Sequence, residues 1–415
     1  MAHKSILVVG GGVSGLTAAI EASEAGSEVY LVEQKSYLGG KVAQIYEYFP
    51  KLCPPNCGLE INFKRIKQNP KIRIFTLSEI EKIEGKEGDF TVTVKSNSSH
   101  VNHNCTACGK CAEVCPVERP NEFNYGLDKT GAIYKAHEFA FPMKYVIDEK
   151  VCLGAECGKC VTACQYDAIE LDMAPKSFNL NVAAIVWATG WEPYDATKVE
   201  YYGNGRHQNV ITNVIMERLA APNGPTKGKI VRPSDGKAVE SVAFVQCAGS
   251  RDENHLPYCS GVCCMASLKQ ATYIKEQNPD AKVYMFYIDV RAMGKHEEFY
   301  TKVQENLTLV KGKVGEITED PLTKDLMVQV EDQVTGKFMN EKFDMVVLAT
   351  GMVPATAGLK VPVEITYDED GFIATDSQQP GIYGAGCVKK PMDVASSVKD
   401  ATAAALKAIQ STVRR

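Results

Sequence analysis

The chain has 415 residues, 46 basic against 51 acidic side chains and a formal net charge of −5. That length leaves room for two or three domains that each bury a core, and mild acidity argues against a nucleic-acid-binding face. Its 15 cysteines are roughly two to three times what a soluble chain of this size carries.

The longest apolar runs, such as 182–188 and 345–349, are far short of the about 20 residues that span a bilayer. Residues 1–4 lead straight into the apolar run 6–9 with no signal-peptide core. A reducing compartment is therefore expected, where disulfides are rare and surplus cysteines read as metal ligands or redox groups.

Residues 6–9 predict a strand, Gly10 to Gly15 a glycine turn, 16–24 a helix and 28–32 a second strand ending at Glu33. Gly10, Gly12 and Gly15 stand in G-x-G-x-x-G register, with Val13 and Ser14 between the last two. The glycines provide a tight turn, close approach of a pyrophosphate and close helix–strand packing. The helix N-terminus offers free N–H groups to phosphates. Glu33, 23 residues after Gly10, is placed to accept from a ribose hydroxyl, with Gln34 beside it. Strand, turn, helix, strand and acid in this order predict a dinucleotide site. Gly39, Gly40 and Lys41 follow it.

Cys53 and Cys57 frame two prolines in a rigid C-x3-C turn. Structural, partner-contact, redox and metal roles stay open for them. Eight further cysteines lie between Cys105 and Cys164. Cys105, Cys108, Cys111 and Cys115, followed by Pro116, form C-x2-C-x2-C-x3-C-P, the bacterial ferredoxin run. Cys152, Cys157, Cys160 and Cys164 form C-x4-C-x2-C-x3-C, with Gly158 and Lys159 repeating Gly109 and Lys110. In two-cluster ferredoxins the fourth Cys of each run serves the other cluster. One [4Fe–4S] cluster is thus expected on Cys105, Cys108, Cys111 and Cys164, and another on Cys152, Cys157, Cys160 and Cys115. Gln165 replaces the usual proline, and the x4 gap lengthens one loop.

Two strand-like runs, 185–190 and 346–351, end in Ala-Thr-Gly, the first at Ala188, Thr189 and Gly190. Near the end come Gly384, Gly386 and Cys387, then a helical stretch over 394–409 that includes Ala395. This set resembles the two-dinucleotide-binding-domain flavoproteins of the thioredoxin-reductase-like class. The resemblance implies FAD on the first unit and a late Gly-Asp pair at the flavin's ribityl-phosphate arm. Cys387 stands where that Asp belongs. A second unit is expected over 239–344, with strands at 241–246, 282–289 and 308–310 and helices at 265–277 and 297–304. It has one glycine, Gly249, where a nicotinamide fingerprint needs three. Instead it carries Cys247, Cys259, Cys263 and Cys264 within 18 residues. A third [4Fe–4S] cluster, a redox dithiol and buried structural cysteines all remain open for this set.

Together these segments resemble one family, the flavoproteins similar to the A subunits of heterodisulfide reductases, through residues 10–15, Gly39 to Lys41 with Cys53 and Cys57, the ferredoxin repeat, residues 246–264 and 384–387. The resemblance implies an α/β, thioredoxin-reductase-like flavoprotein with an inserted two-cluster ferredoxin domain. The FAD domain would comprise 1–95, 176–238 and 345–415, the insert 96–175 and the degenerate second unit 239–344. The short form is similar to the A subunits of quinone-interacting membrane-bound oxidoreductases of sulfate reducers. That implies electron transfer between a quinone-linked membrane partner and a soluble enzyme, adenylylsulfate reductase, with the chain cytoplasmic and held at the inner membrane by partner subunits. The seven His show no ligand or base spacing, so no acid–base dyad is expected. A flavin beside clusters makes a converter between two-electron and one-electron steps. The rivals are an NAD(P)H-dependent disulfide reductase and a non-catalytic scaffold.

Overall fold

A computed structural model describes residues 4–374 and 379–413. Ser5–Val9 is buried along its whole length, as a strand covered on both faces of a parallel sheet must be. It pairs in parallel with Glu28–Val32 on one side and Ala184–Trp187 on the other. Ile72–Phe75 and Ile382–Gly384 form the two edges. The helix Val13–Glu24 starts earlier than its apolar pattern predicts, because Gly12 ends the turn in extended backbone. It buries Leu16, Ala19 and Ile20 in one core with Ala401, Ala404, Ala405 and Ala408 of the C-terminal helix Val394–Val413.

A second five-stranded parallel sheet runs Val210–Thr212, Met345–Thr350, Ser241–Ala248, Lys282–Tyr287, Thr308–Lys311. Helices Cys263–Gln277 and His296–Gln304 pack on it. Each parallel sheet has a three-stranded antiparallel companion. The first is Lys176–Val182, Asp89–Ser96 and Ser78–Lys86; the second is Val314–Glu319, Leu326–Asp332 and Lys337–Phe343. The chain is therefore two α/β units of one plan. Two strands fall elsewhere than expected: Val210–Thr212 and Met345–Thr350 lie in segments assigned to the FAD domain, yet both pair within the second sheet. Strands buried on both faces carry no sign of which sheet they join, so pairing alone decides.

The cysteine-rich segment leaves and re-enters between antiparallel partners, Ser96 lying opposite Lys176. Inside it are two two-stranded ladders, Arg119–Pro120 with Lys129–Thr130 and Ile133–Tyr134 with Val146–Ile147. Two short helices, Lys110–Glu113 and Lys159–Ala163, each follow a glycine in left-handed backbone, Gly109 and Gly158. The sequence repeat is thus also a conformational repeat. Among the described residues no helix is long and apolar enough to cross a membrane.

Candidate functional site

Ser5–Val9 in the first sheet and Ser241–Ala248 in the second each have parallel neighbours on opposite sides, which opens a crevice at the strands' carboxyl ends. In the first sheet those ends are Val9-Gly10 and Trp187-Ala188. A cavity of about 390 Å³ lies there, within the range of small-molecule sites. Of the expected cofactor residues, Gly10, Gly12, Val13, Ser14, Glu33, Gln34, Gly40, Lys41, Ala188, Thr189, Gly190 and Cys387 line it. Gly15 and Gly386 stand behind the lining. A Cβ on Gly15 would lie 1.8 Å from the Gly10 carbonyl oxygen, and one on Gly386 2.1 Å from Ser14 Oγ. Both hold the glycine turn against its neighbours. Ala395 is exposed, while Ser397, two residues on, lines the cavity.

Half-buried Glu33 accepts from Gly11 N–H at 2.6 Å and from Lys35 N–H at 2.7 Å. Burial pushes its carboxyl pKa up, and the amide donors pull it back. Lys41 pairs with Glu192 at the cavity's edge, and burial draws its ammonium below the ordinary lysine range. Trp187 and Trp191, the chain's two tryptophans, also line the cavity. No motif marks them, though flanking Ala-Thr-Gly was a usable signal. Ser78, Ile80, Leu359 and Pro362 were equally hidden, since they arrive from distant segments, the first two from the strand Ser78–Lys86. Thr189 Oγ1 and Trp187 Nε1 are buried with no hydrogen-bond partner. Buried polar atoms are normally satisfied, so these two fit a ligand that completes them. The glycine cradle, the helix N-terminus and the orphaned donors all suit FAD.

Cys387 is buried; its thiol donates to the Met392 carbonyl at 3.4 Å, and burial pushes its pKa up. Asp393 and Asp400 are the nearby carboxylates; Asp400 accepts from Gly386 N–H at 2.8 Å and pairs with Lys389 at 2.7 Å. It braces the Gly386-Cys387 turn from behind and takes Lys389 away from the flavin cavity.

In the insert, Cys105, Cys108, Cys111 and Cys164 line one small cavity. Burial and neighbouring Cys105 and Cys108 push the Cys111 thiol up to about 11. The thiol of Cys160 is raised by burial and by Cys152 and Cys115 beside it. Gly154 N–H and Ala168 N–H point at Cys152 and Cys164 sulfur, each at 3.4 Å, as amides around a cluster do. Four thiols around one cavity, with the Ala168 amide aimed at Cys164 sulfur, form a donor set that suits a [4Fe–4S] cluster.

The second sheet's crevice holds the third set. Cys247 sits at the end of Ser241–Ala248 in left-handed backbone. Its thiol is pushed up to about 11 by burial, then by Cys264 and Cys259 nearby. Cys263 lies among Cys264, Cys247 and Cys259 and donates to the Thr350 carbonyl at 3.5 Å. Here the loop covers the crevice: Ser260 Oγ accepts from Met352 N–H at 2.8 Å, Tyr258 donates to the Met352 carbonyl at 2.8 Å, and Ser250 and Ser260 lie close over Gly351. Val262 packs on Met352, Cys387 and Met392 beside Trp191, and Cys387 and Trp191 also line the flavin cavity. One side-chain layer thus separates this set from that cavity. Cys53 and Cys57 are exposed, Cys53 in a backbone bridge with Tyr48 and Cys57 at the start of the helix Asn56–Gln68.

Residues 5–49 match the FAD dependent oxidoreductase family. The thioredoxin reductase of T. acidophilum superposes over 99% of this chain and 100% of its own at a TM-score of 0.54 and 15% identity, a likeness of fold. One of the iron-sulfur A subunits of CoB–CoM heterodisulfide reductase from Methanopyrus kandleri is 41% identical over 417 residues, 97% of this chain. The corresponding iron-sulfur protein of Methanocaldococcus jannaschii is 39% identical over 420 residues, again 97% of this chain. The chain is similar to the A subunits of heterodisulfide reductases over nearly its whole length. It spans 63% of the length of both relatives. The fold expected for this family, two α/β units on the thioredoxin reductase plan, is the fold observed.

Proposed function

We propose that the chain is the electron-transfer component of a larger oxidoreductase, linking FAD to [4Fe–4S] clusters on two cysteine sets in the insert and a third in the second unit. When bound, FAD supplies one- or two-electron chemistry and each cluster one-electron chemistry. The chain's residues bind and orient these groups. Gly10, Gly12 and the N-terminus of Val13–Glu24 receive the pyrophosphate, Glu33 the ribose hydroxyls, and Thr189 and Trp187 donate from buried positions. Trp191, Met352 and Met392 keep water from the Cys387 end of the cavity. The neutral Cys387 thiol adds no negative charge there, unlike an aspartate, and so does not oppose electron uptake by the flavin.

One observation carries this reading: the second crevice, where a nicotinamide would bind, is covered by the loop bearing Cys247 to Cys264, and that loop abuts the flavin cavity through Val262. Mixing the anaerobic holoprotein with NADH or NADPH tests it. Dithionite bleaches the flavin, and neither nucleotide does so within minutes. Bleaching by NADPH in seconds would make the chain a disulfide-reductase-type enzyme instead.

The partners are proposed more finely on sequence resemblance. A quinone-linked membrane protein would stand on one side and adenylylsulfate reductase on the other, as in sulfate respiration, with the chain at the inner membrane through that membrane protein. The relatives' names support a different pairing, a CoB–CoM heterodisulfide reductase complex. Reconstitution with each partner set separates the two.

A further inference from the structure

Arg218, in the helix Asn213–Ala220, is among the largest fully buried side chains, at 1% exposure. A buried guanidinium is costly unless its donors are met. Here they are met from three parts of the chain. Nε donates to Asn124 Oδ1 of the cysteine-rich insert at 2.8 Å. Nη1 donates to the backbone oxygen of Gln44, at the end of the turn Gly40–Gln44 that borders the flavin cavity, at 3.3 Å. Nη2 donates to Asn223 Oδ1 at 3.1 Å and to its carbonyl at 3.3 Å. All these acceptors are neutral, so direction and not charge pairing places the fork.

A second line of contact runs the same way. The guanidinium lies over the Phe123 ring at 4.7 Å. Phe123 stacks on His137 at 4.5 Å and meets Tyr37 edge-on at 5.7 Å, and Tyr37 precedes the Gly39-Gly40 turn. Gln44 itself donates to the Phe123 carbonyl at 2.8 Å. The neighbouring Glu217 accepts from Tyr46 N–H at 2.9 Å, and its ion-pair partner Lys269 donates to the Glu47 carbonyl at 2.6 Å. The two helices Asn213–Ala220 and Cys263–Gln277 therefore grip residues 44–47 together.

We infer that Arg218 is a positioning residue that locks the flavin-bordering turn, the insert and the second unit into one fixed arrangement. Electrons would then pass between stationary centres, without one unit swinging against the other. The inference rests on the proposed function for what those centres are, and on the contacts above for their locking.

The test uses the full-length chain, anaerobically purified, as wild type, Arg218→Lys and Asn124→Ala. Lysine keeps the charge and loses the fork; Asn124→Ala removes only the insert's acceptor. Both variants are expected to keep wild-type circular dichroism and iron content. Both should bind FAD about tenfold more weakly, the effect of a lost buried charged hydrogen bond. Amide exchange should rise together at residues 38–47 and 119–127, two segments distant in sequence. Where Arg218→Lys fails to fold, Asn124→Ala carries the test. FAD affinity within twofold of wild type with exchange unchanged at residues 38–47 would overturn the locking role. Wild-type protein without FAD or iron would instead overturn the proposed function, while the exchange comparison would still decide the lock.

Discussion

Replacing Gly12 with alanine is expected to leave the apo chain folded and to cost it the flavin. Gly12 has extended backbone that any residue adopts, and the nearest atom to an added Cβ is Gly40 Cα at 3.9 Å. The protein itself has room, so stability should stay within about 0.5 kcal/mol of wild type. The room exists on the cavity side, where a pyrophosphate must approach the backbone. The expected loss is about 100-fold in FAD affinity, about 2.7 kcal/mol, read by flavin fluorescence titration beside thermal unfolding of the apo form. Gly15→Ala is the contrast. Its Cβ would sit 1.8 Å from the Gly10 carbonyl oxygen, so both stability and flavin binding should fall. Equal FAD affinity in Gly12→Ala would remove the phosphate cradle from the account.

Cys164→Ser is expected to abolish the same cluster as Cys105→Ser, although the residues belong to different cysteine runs. Cys164 lines the small cavity of Cys105, Cys108 and Cys111, whereas Cys160 has Cys152 and Cys115 as its neighbours. Each serine variant should lose about four irons and the same electron paramagnetic resonance signal. Cys115→Ser should instead match Cys152→Ser. If Cys164→Ser matched Cys152→Ser, the runs would be self-contained and the crossed ligation wrong.

The first unit was legible because its chemistry is local. A strand, three glycines in register and an acid lie within residues 5–33, and all but Gly15, which packs behind the lining, return around one cavity. The cysteine repeat was legible for the same reason. Pairing across the molecule was not. Met345–Thr350 reads as a buried strand from its sequence, yet only its partners show that it belongs to the second sheet. Ala395 and Ser397 lie on opposite sides of the helix, about 200° apart, but a stretch of small residues does not mark which side faces the cavity. Arg218 was invisible because an arginine in a short helix ordinarily faces water. Only its two distant acceptors, on Asn124 and Gln44, reveal it, and no spacing encodes them. The covered second crevice was half legible: the missing glycines gave the loss, but the packing of Ser250 and Ser260 over Gly351 needed the fold.

The central claim is that the surplus cysteines hold clusters beside a flavin. Iron, acid-labile sulfide and FAD counted per chain on anaerobically purified protein test it most directly. The account predicts one FAD with about twelve irons and matching sulfide, about four for each of three sets. About eight irons would confine the clusters to the insert and leave the Cys247 to Cys264 set without one. A chain that carries zinc and neither iron nor sulfide would contradict the account.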